Sequence, residues 1–154
     1  MSKSKNNLAL VTGASDGIGA EFVKILASRG YDLVLVARRE EKLKELAVKL
    51  TDEFGISCTV IATDLSEPKA AQSLFTRVEE RGLQVNFLIN NAGLLHNGFF
   101  TKLSLEAQEK MIQVNVMALT TLTHLYAHNM SSNGGGHILN VASLAGWMAI
   151  PNQN

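Results

Sequence analysis

Leu8-Ala9-Leu10-Val11-Thr12-Gly13-Ala14-Ser15-Asp16-Gly17-Ile18-Gly19 is the stretch on which the fold turns. Leu8 to Val11 is a short apolar run that reads as a strand ending at Thr12-Gly13. A glycine-rich turn follows. Ile18, Phe22, Ile25 and Leu26 then recur at the spacing of an amphipathic helix, and Gly30 closes that helix at the position where glycine is favoured.

The same alternation continues outward. Leu33-Val34-Leu35-Val36 is apolar on successive residues, so this second strand is expected to be buried on both faces, as in a parallel sheet. Glu40 to about Leu50 carries Leu43, Leu46, Ala47 and Leu50 on one face of a second helix. Cys58 to Ala62 is the third strand. Ser66 is expected to cap the next helix, with Glu67 and Pro68 in its first turn. Phe87-Leu88-Ile89 is the fourth strand. Ser104 caps a long helix reaching roughly Tyr126, Ser131 to Gly136 is a loop, and Ile138 to Val141 is the fifth strand. Strands and helices in strict alternation predict one α/β domain over residues 1–154, a doubly wound parallel sheet of about five strands.

Composition narrows the function. Formal net charge is zero, from 14 basic and 14 acidic residues, so the basic excess of a nucleic-acid binder is missing. The polar N-terminus, Met1 to Asn7, leads into an apolar run too short for a signal-peptide core. No later run reaches the length of a membrane span. Cys58 is the single cysteine, which excludes an internal disulfide and points to a reducing, cytoplasmic setting. In a strand it reads as a small buried apolar residue. His124 and His128 lie on one predicted helix without a third ligand and read as surface residues, so no metal site is expected.

The glycine-rich turn carries the chemistry. Gly13 lets the chain leave the strand sharply, Gly17 has no side chain to keep a pyrophosphate off the backbone, and Gly19 allows the helix to pack closely on the sheet. The helix start offers free N–H groups and partial positive charge to phosphates. Gly13, Ser15, Asp16, Gly17, Ile18 and Gly19 are therefore candidate cofactor contacts. A plain glycine turn is the alternative, and the strand before and helix after it favour the binding reading.

The second strand ends Val36-Ala37-Arg38-Arg39. An acid at this end would accept hydrogen bonds from a ribose 2′-hydroxyl and favour NAD. Here Ala37 stands in that place and two arginines follow, which can pair with a 2′-phosphate. The reading is NADP(H), with Arg38 the main phosphate contact and Arg39 a second.

The spacing Gly13-x-x-x-Gly17-x-Gly19, preceded by Thr12, resembles the short-chain dehydrogenase/reductase family. Asp64-Leu65, Asn90-Asn91-Ala92-Gly93, Asn115 and Asn140-Val141-Ala142-Ser143 follow in that family's order, so the resemblance spans essentially the whole chain. It implies a Rossmann-like sheet with strand order 3-2-1-4-5. It implies that Asp64 accepts a hydrogen bond from the adenine amino group and that Leu65 offers a backbone N–H. Asn91, Ala92 and Gly93 would line the adenine ribose. From the residues alone, Asp64 reads equally as a loop acid beside Ser66, and Asn115 as a solvent-facing residue in mid-helix. By resemblance Asn115 holds a helix distortion and a relay water, and Ser143 hydrogen-bonds the substrate oxygen.

The family's catalytic Tyr-x-x-x-Lys would fall just beyond Asn154, so the chain is expected to lack the C-terminal part of the fold and most of the catalysis. Tyr31 and Tyr126 belong to other elements. The activity implied is NADP(H)-dependent oxidoreduction of a small-molecule carbonyl or alcohol, with a non-catalytic nucleotide-binding or interaction protein as the alternative. An uncovered fifth strand implies association, most simply as a homo-oligomer. Trp147 and Met148 would line a substrate pocket or belong to a loose tail.

Overall fold

Five parallel strands form one sheet in the order β3-β2-β1-β4-β5, as the resemblance implied. They are Leu8–Thr12 (β1), Asp32–Ala37 (β2), Cys58–Ala62 (β3), Phe87–Asn90 (β4) and His137–Asn140 (β5). The computed structural model describes residues 7–148 and 150. The polar start before Asn7 and the tail Pro151–Asn154 lie outside them.

Alternation along the strands builds two cores. Ala9, Val11, Leu33 and Leu35 point to one face, where they meet Val23, Leu26, Leu43 and Leu50 of helices Gly17–Ser28 (α1) and Glu40–Phe54 (α2). Leu8, Leu10, Val34 and Val36 point to the other. There they meet Leu74 and Val78 of Ala70–Glu79 (α3), and Leu122 and Tyr126 of Leu119–Ser132 (α5). β1 and β2 are buried on both faces, which is why they read as unbroken apolar runs.

Three expectations about the helices are corrected. In α1 the buried residues are Gly19, Val23, Leu26 and Ala27, while Ile18 is 63% and Ile25 50% exposed. Gly19 lies against the Gly13 carbonyl so closely that a Cβ would collide with it. That contact fixes the helix rotation about one residue away from the face the isoleucines suggest. Ser66 does not cap α3. Its amide and hydroxyl both bond to Asp64 Oδ1, at 2.9 and 2.7 Å, so it closes a turn before the helix. α3 starts only at Ala70, behind Lys69 in the left-handed region at φ 61°. The helix capped by Ser104 runs on to Ser132, beyond Tyr126, as Leu105–Ile112 (α4), a π segment Gln113–Ala118, and α5.

Cys58 is half-buried rather than buried, because β3 is an edge strand. β5 forms the other edge, pairs with β4, and leaves Leu139 exposed. His124 and His128 are on the surface. Trp147, after β5, is 95% exposed.

Candidate functional site

The topology places a crevice where the strand order reverses. The chain leaves β1 toward β2 on one side and β4 toward β5 on the other, so the loops after β1 and β4 diverge. A cleft of about 390 Å³ opens there. Gly13, Ser15, Asp16 and Ile18 line it from the turn after β1, and Arg38 and Arg39 from the end of β2. Asp64 and Leu65 line it from behind β3, and Asn91, Ala92 and Gly93 from behind β4. Gly17 and Gly19 shape the turn without lining the cleft.

The turn is held from below. Thr12 is buried at the end of β1. Its Oγ1 accepts the Asn91 and Ala92 amides, both at 3.0 Å. The Asn91 Nδ2 donates back to the Thr12 carbonyl at 3.0 Å and to the Gly13 carbonyl at 3.3 Å. Gly13 adopts φ 66°, and a Cβ there would stand 2.8 Å from Asn91 Nδ2, so two independent constraints require glycine. Gly17 adopts φ 52° with nothing within 4 Å of an added Cβ, so its backbone faces open space.

Asp16 caps α1, its Oδ1 accepting the Gly17 amide at 2.9 Å. The next first-turn amides, Ile18 and Gly19, have no intrahelical acceptor. Arg39 reaches across from β2, its Nη2 standing 3.1 Å from both Ser15 Oγ and Asp16 Oδ2. Lys42 adds a cation 3.9 Å from the same carboxylate. The hydrogen bond from Arg39, then the Gly17 amide and the Lys42 and Arg39 charges, hold the Asp16 carboxyl below the usual carboxylate range. Arg38 forms no close ion pair among the described residues. Burial pushes the Asp64 carboxyl upward, but the two Ser66 bonds and the charges of Arg38 and Lys110 outweigh it and leave it lowered.

Asn115 sits in the π segment, not in regular α-helix. Its Oδ1 accepts the Leu94 amide and its Nδ2 donates to the Leu94 carbonyl, both at 2.8 Å. The side chain thus supplies a strand-like pair of bonds to the loop after Gly93. Ser143 follows β5 and is exposed, with its Oγ accepting the Ala145 amide at 3.1 Å. Neither residue lines the cleft. Among the described residues no group of three His, Cys, Asp or Glu side chains could hold a metal ion.

A family model described as short chain dehydrogenase matches residues 7–154. The chain belongs to the short-chain dehydrogenase family. It is 38% identical over 147 residues to a very-long-chain 3-oxoacyl-CoA reductase of Pyrenophora tritici-repentis, covering 93% of this chain and 43% of that protein. A solved 7β-hydroxysteroid dehydrogenase superposes with a TM-score of 0.90 at 33% identity, over 96% of this chain and 57% of that one. A short-chain dehydrogenase from Sphingobium yanoikuyae, solved in complex with NADPH, superposes at 0.86 with 38% identity, over 92% and 55%. The chain therefore spans about half the length of these short-chain dehydrogenases.

Two residues of this short-chain dehydrogenase site escaped the sequence reading as candidates. Thr12 ties β1 to β4, and its signal was a hydroxyl at the end of an otherwise apolar strand. The Asn90 side-chain Nδ2 donates to Thr123 Oγ1 at 3.0 Å and to Asn140 Oδ1 at 2.9 Å, which links β4, α5 and β5. Nothing local marked Thr123.

Proposed function

We propose that these residues form the NADP(H)-binding part of a short-chain oxidoreductase that interconverts a small-molecule carbonyl and its alcohol. The observation that carries the reading is the position of Arg38 and Arg39. They follow Ala37 at the end of β2 and line the same cleft as the glycine turn. A guanidinium on a 2′-phosphate contributes roughly 1.5–3 kcal/mol. That corresponds to about tenfold to more than a hundredfold in affinity.

The residues fit such a cofactor. The amides of Ile18 and Gly19, with the α1 dipole, suit a pyrophosphate. Gly17 leaves the approach open. Asp64 would accept a hydrogen bond from the adenine amino group, and Asn91, Ala92 and Gly93 would flank the ribose. A bound nicotinamide supplies or accepts the hydride. Ser143 would bond the substrate oxygen, and Asn115 would brace the loop and relay beside it.

Proton transfer needs a further group. The alkoxide formed in reduction must be protonated, and a positioned acid contributes about 10²–10⁴-fold. Tyr126 lies buried against Phe75, and Tyr31 packs on Phe87. Neither can serve at Ser143. A second reading is a nucleotide-binding protein with little turnover that acts through association, as a homo-oligomer or otherwise. No helix among the described residues is long and apolar enough to cross a membrane. Cytoplasmic residence belongs to the same proposal.

Fluorescence titration with NADPH and NADH tests the cofactor reading, and NADPH is expected to bind at least about tenfold more tightly. Equal or tighter binding of NADH contradicts it. Turnover of a carbonyl substrate by the 154-residue chain would remove the second reading.

A further inference from the structure

The cleft's cations are not equivalent. Arg38 is free of close ion pairs among the described residues, whereas Arg39 is already engaged. Its Nη2 stands 3.1 Å from Asp16 Oδ2 and 3.1 Å from Ser15 Oγ, bridging the end of β2 to the turn after β1. All four residues line the cleft. Lys42 lies 3.9 Å from the same Asp16 oxygen and is drawn to it as well.

Asp16 therefore has two duties on two oxygens. Oδ1 caps α1 through the Gly17 amide, and Oδ2 neutralises Arg39. Capping needs only an oxygen, and asparagine caps as well as aspartate does. Neutralisation needs the charge. A dianionic phosphate arriving at Arg39 must share or displace the Asp16 carboxylate, and it meets that negative charge at close range. An unphosphorylated ribose meets no such competition.

We propose that Asp16 is a specificity-determining residue that acts through Arg39: its carboxylate competes with a ribose 2′-phosphate for the Arg39 guanidinium and so moderates the preference for NADPH over NADH. This rests on the NADP(H) reading of the cleft. It adds that the preference is held below what the two arginines would otherwise give. Asp16 is thus a counterweight within the binding turn rather than a contact to the cofactor.

Asp16→Asn separates the two duties, since it keeps the cap and removes the charge. NADPH should bind about two- to fivefold more tightly to this variant, the range spanned by an exposed ion pair. NADH affinity should rise by less than NADPH affinity, so the selectivity ratio rises. A loss of fold would weaken both nucleotides together and cannot raise this ratio. The gain should disappear in an Arg39→Gln background, where there is no guanidinium to compete for. It should also fade at about 1 M salt, where the screening length is about 3 Å.

Unchanged or weaker NADPH binding by Asp16→Asn, with the wild type still preferring NADPH, overturns the proposal and leaves the NADP(H) reading standing. An equal gain for both nucleotides overturns it too, as does a gain that survives in Arg39→Gln. Failure of the wild type to bind either nucleotide overturns both.

Discussion

Thr12 and Asn91 are bonded twice across the strand switch, with Asn91 the donor each time. The Asn91 amide donates to Thr12 Oγ1, and the Asn91 side chain donates to the Thr12 carbonyl, each at 3.0 Å. The loops that form the cleft diverge from this joint, so the joint fixes the distance between the glycine turn and the Asn91-Ala92-Gly93 wall.

Thr12→Val should destabilise the chain by about 2–4 kcal/mol, because two amides lose a buried acceptor while the volume stays the same. Thr12→Ser keeps the oxygen and should cost about 1 kcal/mol for the lost methyl. Urea denaturation of both variants measures the difference. Equal losses would mean that the hydroxyl is not what holds the joint.

Asn115→Ala removes both bonds to Leu94. The site is exposed, so the expected cost is about 1–2 kcal/mol. Amide exchange at Leu94 should rise well above that in the cores. Unchanged protection at Leu94 would show that the π segment is held by something other than this side chain.

Tyr126 is fully buried, and its hydroxyl has no hydrogen-bond partner among the described residues. Burial, with the Glu79 charge, holds the phenol far above its ordinary pKa, so it stays neutral across the accessible pH range. Tyr126→Phe removes a desolvated, unpaired oxygen and keeps the edge-on contact with Phe75. The variant should match the wild type or exceed it by up to about 1 kcal/mol, a rise of up to about 2–4 °C in Tm. A fall of several degrees would reveal a partner for the hydroxyl.

The Asp64 carboxyl is lowered in the folded chain. A depressed folded value means that its contribution is fully present above the unfolded pKa, near 3.9. The contribution is lost as pH falls through the folded value. Stability should therefore drop on acidification below about pH 4. Asp64→Asn, which keeps an oxygen for the Ser66 turn, should flatten that part of the profile. Denaturation midpoints between about pH 2.5 and 6 test this, and an identical slope in the variant would contradict it.

Strand positions and the glycine turn were legible because each leaves a local mark: a doubly buried strand is an unbroken apolar run, and a sharp turn needs glycine; the sheet order leaves none and came only from the family resemblance. The Ser104 cap was legible for the same reason. What escaped depends on contacts distant in sequence. The rotation of α1 is set by Gly19 meeting Gly13 and Asn91, so Ile18 and Ile25 misled the periodicity. Ser66 looked like a helix cap, but the bond to Asp64 won, and α3 began later. The pairing of Asn115 with Leu94 spans 21 residues, and a weak helix former in mid-helix could not announce it. The Thr123 link to β4 and β5 is of the same kind.

The account rests on phosphate capture at the start of α1 with a second phosphate at the end of β2. A structure of the chain with NADPH bound tests this most directly. The pyrophosphate should lie within hydrogen-bonding reach of the Ile18 and Gly19 amides, and the 2′-phosphate should rest on Arg38. A nucleotide seated elsewhere, or a 2′-phosphate pointing away from both arginines, would contradict it.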